Sequence, residues 1–178
     1  MTLLRDPVDR VVSLYYHLAP EMSIEQFLTD YVKKGFRRSQ TELISDNDQV
    51  RRVSGLEPSL GACTRGTLET AMSNLERFFS VVGVSECFDE TLVLLKRAFS
   101  WNQPLSYLPT SASLSQEIRD RIAERNALDI ELYQFAKQML DQQISKHGSG
   151  FWKEVEELQT SNKRLAEKYS AELGTMGL

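Results

Sequence analysis

The sequence is poor in the residues that metal and redox chemistry require. It has two cysteines and two histidines among 178 residues. Cys63 and Cys87 are too few for a disulfide framework, and neither sits in a metal-type spacing. His17 and His147 lie far apart without a neighbouring cysteine, so no metal site is expected. Long apolar runs are missing as well: no segment approaches the roughly 18 apolar residues of a membrane span. The first residues lack the basic start and apolar stretch of a signal peptide, so the chain as written reads as cytoplasmic. Positive charge is not in excess. A net charge of −4 argues against a broad nucleic-acid surface but leaves room for a local basic pocket that takes a small anion. Internal repeats and low-complexity tracts are also lacking.

What is present is mostly helical patterning. Asp6-Pro7 is a start signal, because Asp caps free backbone N–H groups and Pro fits the first helical position. That helix should run to about residue 19, before Pro20. Ser23 to Gln26 reads as a capping box ahead of Phe27, Leu28, Tyr31 and Val32. Residues 33–41 read as a polar loop, 46–49 as the start of a short helix ending at Gly55, and 55–66 as a second loop. Helical spacing returns over 67–79 and 88–99, the latter with Leu92, Leu95 and Phe99 on one face. Between them, residues 80–84 form the one convincing strand. It is apolar on both faces, as a buried parallel strand would be, and Leu3-Leu4 is the stub of a candidate partner. Beyond a loop at 101–113, helices are expected from Ser113–Gln116 onward and over 128–144. A break at 147–150 precedes a charged, solvated helix over 151–172. Phe78, Phe79, Phe88, Phe99 and Trp101 read as core.

The chemistry is concentrated at the start of the chain. On the first helix, Arg10, Ser13 and His17 share one face, while Val8, Val11, Tyr15 and Leu18 share another that should be buried. Arg5 stands just before the helix, eight residues ahead of Ser13. An arginine at a strand end, the N–H groups of a helix start and a nearby hydroxyl together suit a phosphate. The plainer alternative is that Asp6 and Pro7 only start a helix, with Arg5 and Ser13 in solvent.

The stretch LRDPVDRVVSLYY resembles the 3′-phosphate-binding motif of sulfotransferases that use 3′-phosphoadenosine 5′-phosphosulfate. More narrowly, it is similar to the carbohydrate and membrane-type family that includes heparan sulfate 2-O-sulfotransferase. The likeness continues in order along residues 1–145. DNDQVRRVSG at 46–55 is similar to a family N-x-Q-x-R-x-x-S-G segment. AMSNLERFFSVVGVSECFDETLVLLKRAFSW at 71–101 and NALDIELYQFA at 126–136 follow it. The resemblance implies an α/β sulfotransferase fold of the P-loop-like kind, incomplete here, with this chain predominantly helical around a short residual parallel sheet. It implies Arg5 and Ser13 as holders of the 3′-phosphate, and transfer of a sulfuryl group from 3′-phosphoadenosine 5′-phosphosulfate to a hydroxyl of a carbohydrate acceptor. The acceptor would attack sulfur in line with the departing phosphate oxygen, with cationic groups stabilising the leaving charge and a general base taking the proton.

The family's glycine- and lysine-containing 5′-phosphosulfate loop, and its usual catalytic histidine or glutamate, precede the arginine motif. Only four residues do so here. The expectation is therefore that Met1 is internal to a longer frame, or a start following truncation, and that this chain alone lacks transfer activity. A membrane or Golgi location would require an anchor in such a longer parent. His17 follows the motif, so the family's base is not carried over to it, and the catalytic residue stays unassigned. Asn47 and Arg51, four apart on a short helix, are candidates for contact with substrate or nucleotide. Tyr107 and Thr110 lie where the family closes a loop over the nucleotide. Asn126 and Asp129 are expected to serve as a cap or a helix–helix hydrogen bond. The domain reading is 1–145 as the 3′-phosphate-binding part and 146–178 as a charged C-terminal helix. The other reading of function is a non-catalytic helical remnant that binds a nucleotide or a protein.

Overall fold

Val82–Val84 (β2) is a strand of three buried residues, which must pair its backbone within the protein. It does so in parallel with Thr2–Leu4 (β1), in the register Thr2–Val82, Leu3–Gly83 and Leu4–Val84. The Leu3-Leu4 stub thus is the partner expected of it. The computed structural model describes residues 1–18, 21–33, 46–56, 58–59, 61–101 and 115–175. Around the two strands it places α1 (Pro7–Leu18), α2 (Ile24–Lys33), α3 (Asp48–Ser54), α4 (Arg65–Phe78), α5 (Phe88–Ala98), α6 (Gln116–Arg125), α7 (Ala127–Ser145) and α8 (Ser149–Thr175). A single 3-10 turn, Ser85–Cys87, links β2 to α5. The chain is mostly helical with a small two-stranded parallel sheet. No helix among the described residues is long and apolar enough to cross a membrane.

Apolar side chains gather in two clusters. The larger joins Leu4 and the β2 valines to α4, α5, α7 and the start of α8 through Leu68, Leu75, Leu94, Leu132 and Phe151. The smaller unites α1, α2 and α6 through Val11, Val12, Phe27 and Ile122. Gly83 is required where β2 meets α5. A Cβ there would lie 2.1 Å from Thr91 Cγ2, and Thr91 is fully buried with its hydroxyl bonded to Cys87 O.

Helix boundaries follow local chemistry. Gly55 ends α3 at φ 70, a left-handed value that glycine accepts without strain. α4 begins two residues before the spacing at Thr67 suggested, because Thr64 and Thr67 form a reciprocal capping box that draws Arg65 and Gly66 into the helix.

Two expectations are corrected. Phe78, Phe99 and Trp101 are not core: they are 67%, 50% and 43% exposed. Phe78 closes α4 under the Arg77 guanidinium, and Phe99 and Trp101 stack on each other at the end of α5. Nor is α8 simply solvated. Its first turns bury Phe151, Val155 and Leu158, and Glu154 takes two hydrogen bonds from Arg97 of α5. Apolar residues three and four apart give a helix a buried stripe even where charges dominate its composition. The loop expected at 33–41 lies outside the described residues, apart from Lys33 at the end of α2, and so do residues 102–113 of the loop after Trp101.

Candidate functional site

Arg5 follows the carboxyl end of β1, and Ser85 and Glu86 follow that of β2. In parallel sheets with covering helices this edge is where ligands gather. Three side chains assemble it. Asp6 Oδ1 accepts from the Val8 and Asp9 amides at 2.9 and 3.0 Å, closing the first turn of α1. Glu86 accepts from the Asp6 amide at 3.0 Å and from the Tyr133 hydroxyl at 2.8 Å, tying the two strand ends to α7. Burial, with Glu86 second, pushes the Tyr133 phenol well above its ordinary pKa. Gln49 of α3 closes on Arg5: its Oε1 accepts from the Arg5 amide at 3.0 Å and its Nε2 donates to the Arg5 carbonyl at 2.9 Å.

This arrangement corrects one element of the phosphate reading. The start of α1 offers no free backbone donors to an anion: Pro7 has none, Val8 and Asp9 are capped, and Arg10 N–H bonds to Asp6 O. An anion brought to this edge would meet side chains and not free helix N–H groups. The Arg5 guanidinium is suited to it. It is half-buried and has no ion-pair or hydrogen-bond partner among the described residues. Arg10, Arg51, Arg52, Arg65, Arg97 and Arg119 are all ion-paired. Ser13 is half-buried too, and the α1 rise places it about 9 Å along the helix from Pro7. His17 lies exposed a further turn away.

α3 has a different task from the one its sequence suggested. Asn47, in the left-handed conformation at φ 47, is 7% exposed. Its amide group donates to Asp46 Oδ1 and Arg125 O and accepts from the Asp129 backbone at 3.0 Å. Arg51 is 2% exposed and donates to Ser59 O, Asp46 O and Asp46 Oδ2. Only its Nε lacks a partner, and that atom is buried. Both side chains are thus buried and hydrogen-bonded within the protein. Asp48 is paired with Arg10 of α1 and Arg52. Asp129 accepts from the Gln49 and Val50 amides at 3.0 and 2.7 Å, and burial raises its pKa to about 6. Asn126 and Asp129 are the helix-to-helix links expected of them. Tyr107 and Thr110 lie outside the described residues. No group of three or more His, Cys, Asp or Glu among the described residues could hold a metal ion.

The arginine edge can be set beside known proteins. The sequence model of the galactose-3-O-sulfotransferase family matches residues 1–172. The chain belongs to this family. Human galactose-3-O-sulfotransferase 2 is 31% identical over 80% of the chain and 39% of its own length. Human and mouse heparan-sulfate 6-O-sulfotransferase 2 are each 26% identical over 94% of the chain, covering 33% and 32% of their own lengths. The chain therefore spans about a third of the length of these relatives. No solved structure matches it. The carbohydrate sulfotransferase resemblance read from the motifs is thereby established.

Two residues of the site escaped the sequence reading. Gln49 stands inside the N-x-Q-x-R segment, but the four-residue helical spacing of Asn47 and Arg51 points to those two residues instead. Glu86 is adjacent to Arg5 only through strand pairing, which local patterning does not reveal.

Proposed function

We propose that this chain supplies the 3′-phosphate side of a site for 3′-phosphoadenosine 5′-phosphosulfate, in a sulfotransferase acting on a carbohydrate hydroxyl. The carrying observation is the half-buried Arg5 guanidinium, without a partner among the described residues, at the carboxyl end of β1. Arg5 would hold two oxygens of the phosphate side by side, and the Ser13 hydroxyl would donate to a third. Holding the nucleotide by its 3′-phosphate fixes where the sulfuryl group lies, the positioning part of such a transfer. The names of the relatives point to a sugar hydroxyl, such as the 3-position of galactose or the 6-position of heparan sulfate, as acceptor. Sulfotransferase folds of the P-loop-like kind are compatible with the parallel pair β1–β2 and its covering helices.

Among the described residues no strand-to-helix loop suits the 5′-phosphosulfate. The two strand-to-helix connections among the described residues are Arg5-Asp6 and Ser85–Cys87, and neither contains glycine or lysine. That favours a second reading for the 178 residues taken alone: a nucleotide-binding unit without turnover. An assay of the purified chain with the sulfate donor and galactose-terminated or heparan acceptors separates the two. Binding of the nucleotide without transfer is expected; robust turnover would refute the reading of an incomplete site.

A further inference from the structure

We propose that Gln49 is a positioning residue for Arg5, aiming its guanidinium at the phosphate; this rests on the 3′-phosphate reading of Arg5. The side-chain amide of Gln49 is matched to the N–H and C=O of one residue, with contacts of 3.0 and 2.9 Å. It thereby pairs with Arg5 as a residue of an adjacent strand would. In β1 the Thr2 amide turns toward β2, bonding to Val81 O at 3.0 Å. Three residues on, the alternation of a strand turns the backbone groups of Arg5 away from β2, and Gln49 meets them there. Fixing both groups fixes the backbone dihedrals of Arg5 just where the chain leaves the strand, and with them the direction of its side chain.

Gln49 is itself held firmly. It is 7% exposed, and its backbone amide is bonded to Asp129 Oδ2 at 3.0 Å. On one side of it Asn47 is locked to Asn126, the N-cap of α7, and to Asp129 of α7, and Asp48 is paired with Arg10 of α1, the helix that Arg5 precedes. The chain of contacts runs from α7 through α3 to the one arginine of the site. Only glutamine fits this role at this length: glutamate lacks the donor for the Arg5 carbonyl, and methionine lacks both groups.

The test uses the 178-residue chain with Gln49→Met and Gln49→Glu. The first readout is the ratio of affinities for adenosine 3′,5′-bisphosphate and adenosine 5′-phosphate. Gln49→Met should lower this ratio about tenfold with adenosine 5′-phosphate binding held within about twofold. Gln49→Glu keeps the acceptor for the Arg5 amide but sets a carboxylate oxygen against the Arg5 carbonyl, so it should lower the ratio at least as far; it carries the test if Gln49→Met does not fold. A folded variant with an unchanged ratio, or one weakened equally toward both nucleotides, overturns the proposal. The second readout needs no nucleotide. Hydrogen exchange at the Arg5 amide should accelerate at least about tenfold in Gln49→Met, while the Val50 amide, held by Asp129, stays protected. Unchanged Arg5 exchange overturns the clamp itself. A wild-type chain that does not distinguish the two nucleotides defeats the 3′-phosphate reading, and the exchange result then stands apart from it.

Discussion

Asn47 and Asp129 cap each other's helices. Asn47, at the N-terminus of α3, accepts from the Asp129 backbone amide in the first turn of α7. Asp129 returns two bonds, from the Gln49 and Val50 amides in the first turn of α3. Each helix start thus satisfies orphan donors of the other. The arginine edge rests on this pair through Gln49.

The pH dependence of stability follows from Asp129. Burial is the largest influence on it and raises its folded pKa to about 6 from an ordinary 3.8, outweighing the two backbone hydrogen bonds. A folded state that binds the proton more tightly than the unfolded chain is favoured at low pH. The contribution of Asp129 is present below about pH 4 and is lost as pH rises through about 6. Two pKa units bound it at about 3 kcal/mol. Asp129→Asn removes the titrating group, at a cost that does not vary with pH because the amide nitrogen cannot accept from a backbone N–H. The difference in unfolding free energy between wild type and Asp129→Asn, followed by denaturant titration from pH 4 to 7, should move against wild type as pH rises. A difference that does not change with pH contradicts this account.

Arg51 is expected to matter for folding and not for ligand choice. Its pairing with Asp46 is almost entirely buried on the arginine side. Arg51→Met should destabilise the chain by about 2 kcal/mol, because Asp46 and the Ser59 carbonyl lose their charged donor. Where enough folded protein remains at low temperature, its preference between the two adenosine nucleotides should match wild type. A change in that preference would return Arg51 to the ligand.

Gly83 and Thr91 should be coupled. Gly83→Ala brings a Cβ to 2.1 and 2.6 Å from Thr91 Cγ2 and Oγ1, and to 2.9 Å from Thr91 Cβ, which no rotamer moves. A loss of about 3 kcal/mol is expected from the overpacking. Thr91→Ala removes both atoms, so the double variant should be more stable than Gly83→Ala alone. Additive losses in the thermal midpoints of the four proteins would argue against this packing.

Much of the fold could be read along the chain because its signals are local. The Asp6-Pro7 start, the Ser23 cap and the arrest of α3 at Gly55 each depend on a few adjacent residues. The parallel β1–β2 pair was also legible, since a strand apolar on both faces needs a neighbour and Leu3-Leu4 was available. The aromatics misled: hydrophobicity alone put Phe78 and Phe99 inside, whereas their positions at helix ends leave them exposed. Arg5 and Ser13 could be singled out through motif likeness. The roles of Asn47 and Gln49 could not, because partners 44 to 82 residues away determine whether a polar side chain faces a ligand or a helix end.

The central claim is that Arg5 and Ser13 recognise a 3′-phosphate. Its most direct measurement is calorimetric titration of the chain with adenosine 3′,5′-bisphosphate and with adenosine 5′-phosphate, repeated for Arg5→Ala and Ser13→Ala. Hydrogen bonds from a cation to phosphate predict that wild type favours the bisphosphate by at least about tenfold. Ser13→Ala should reduce that preference and Arg5→Ala should remove it. Equal affinity of the wild-type chain for the two nucleotides would contradict the account.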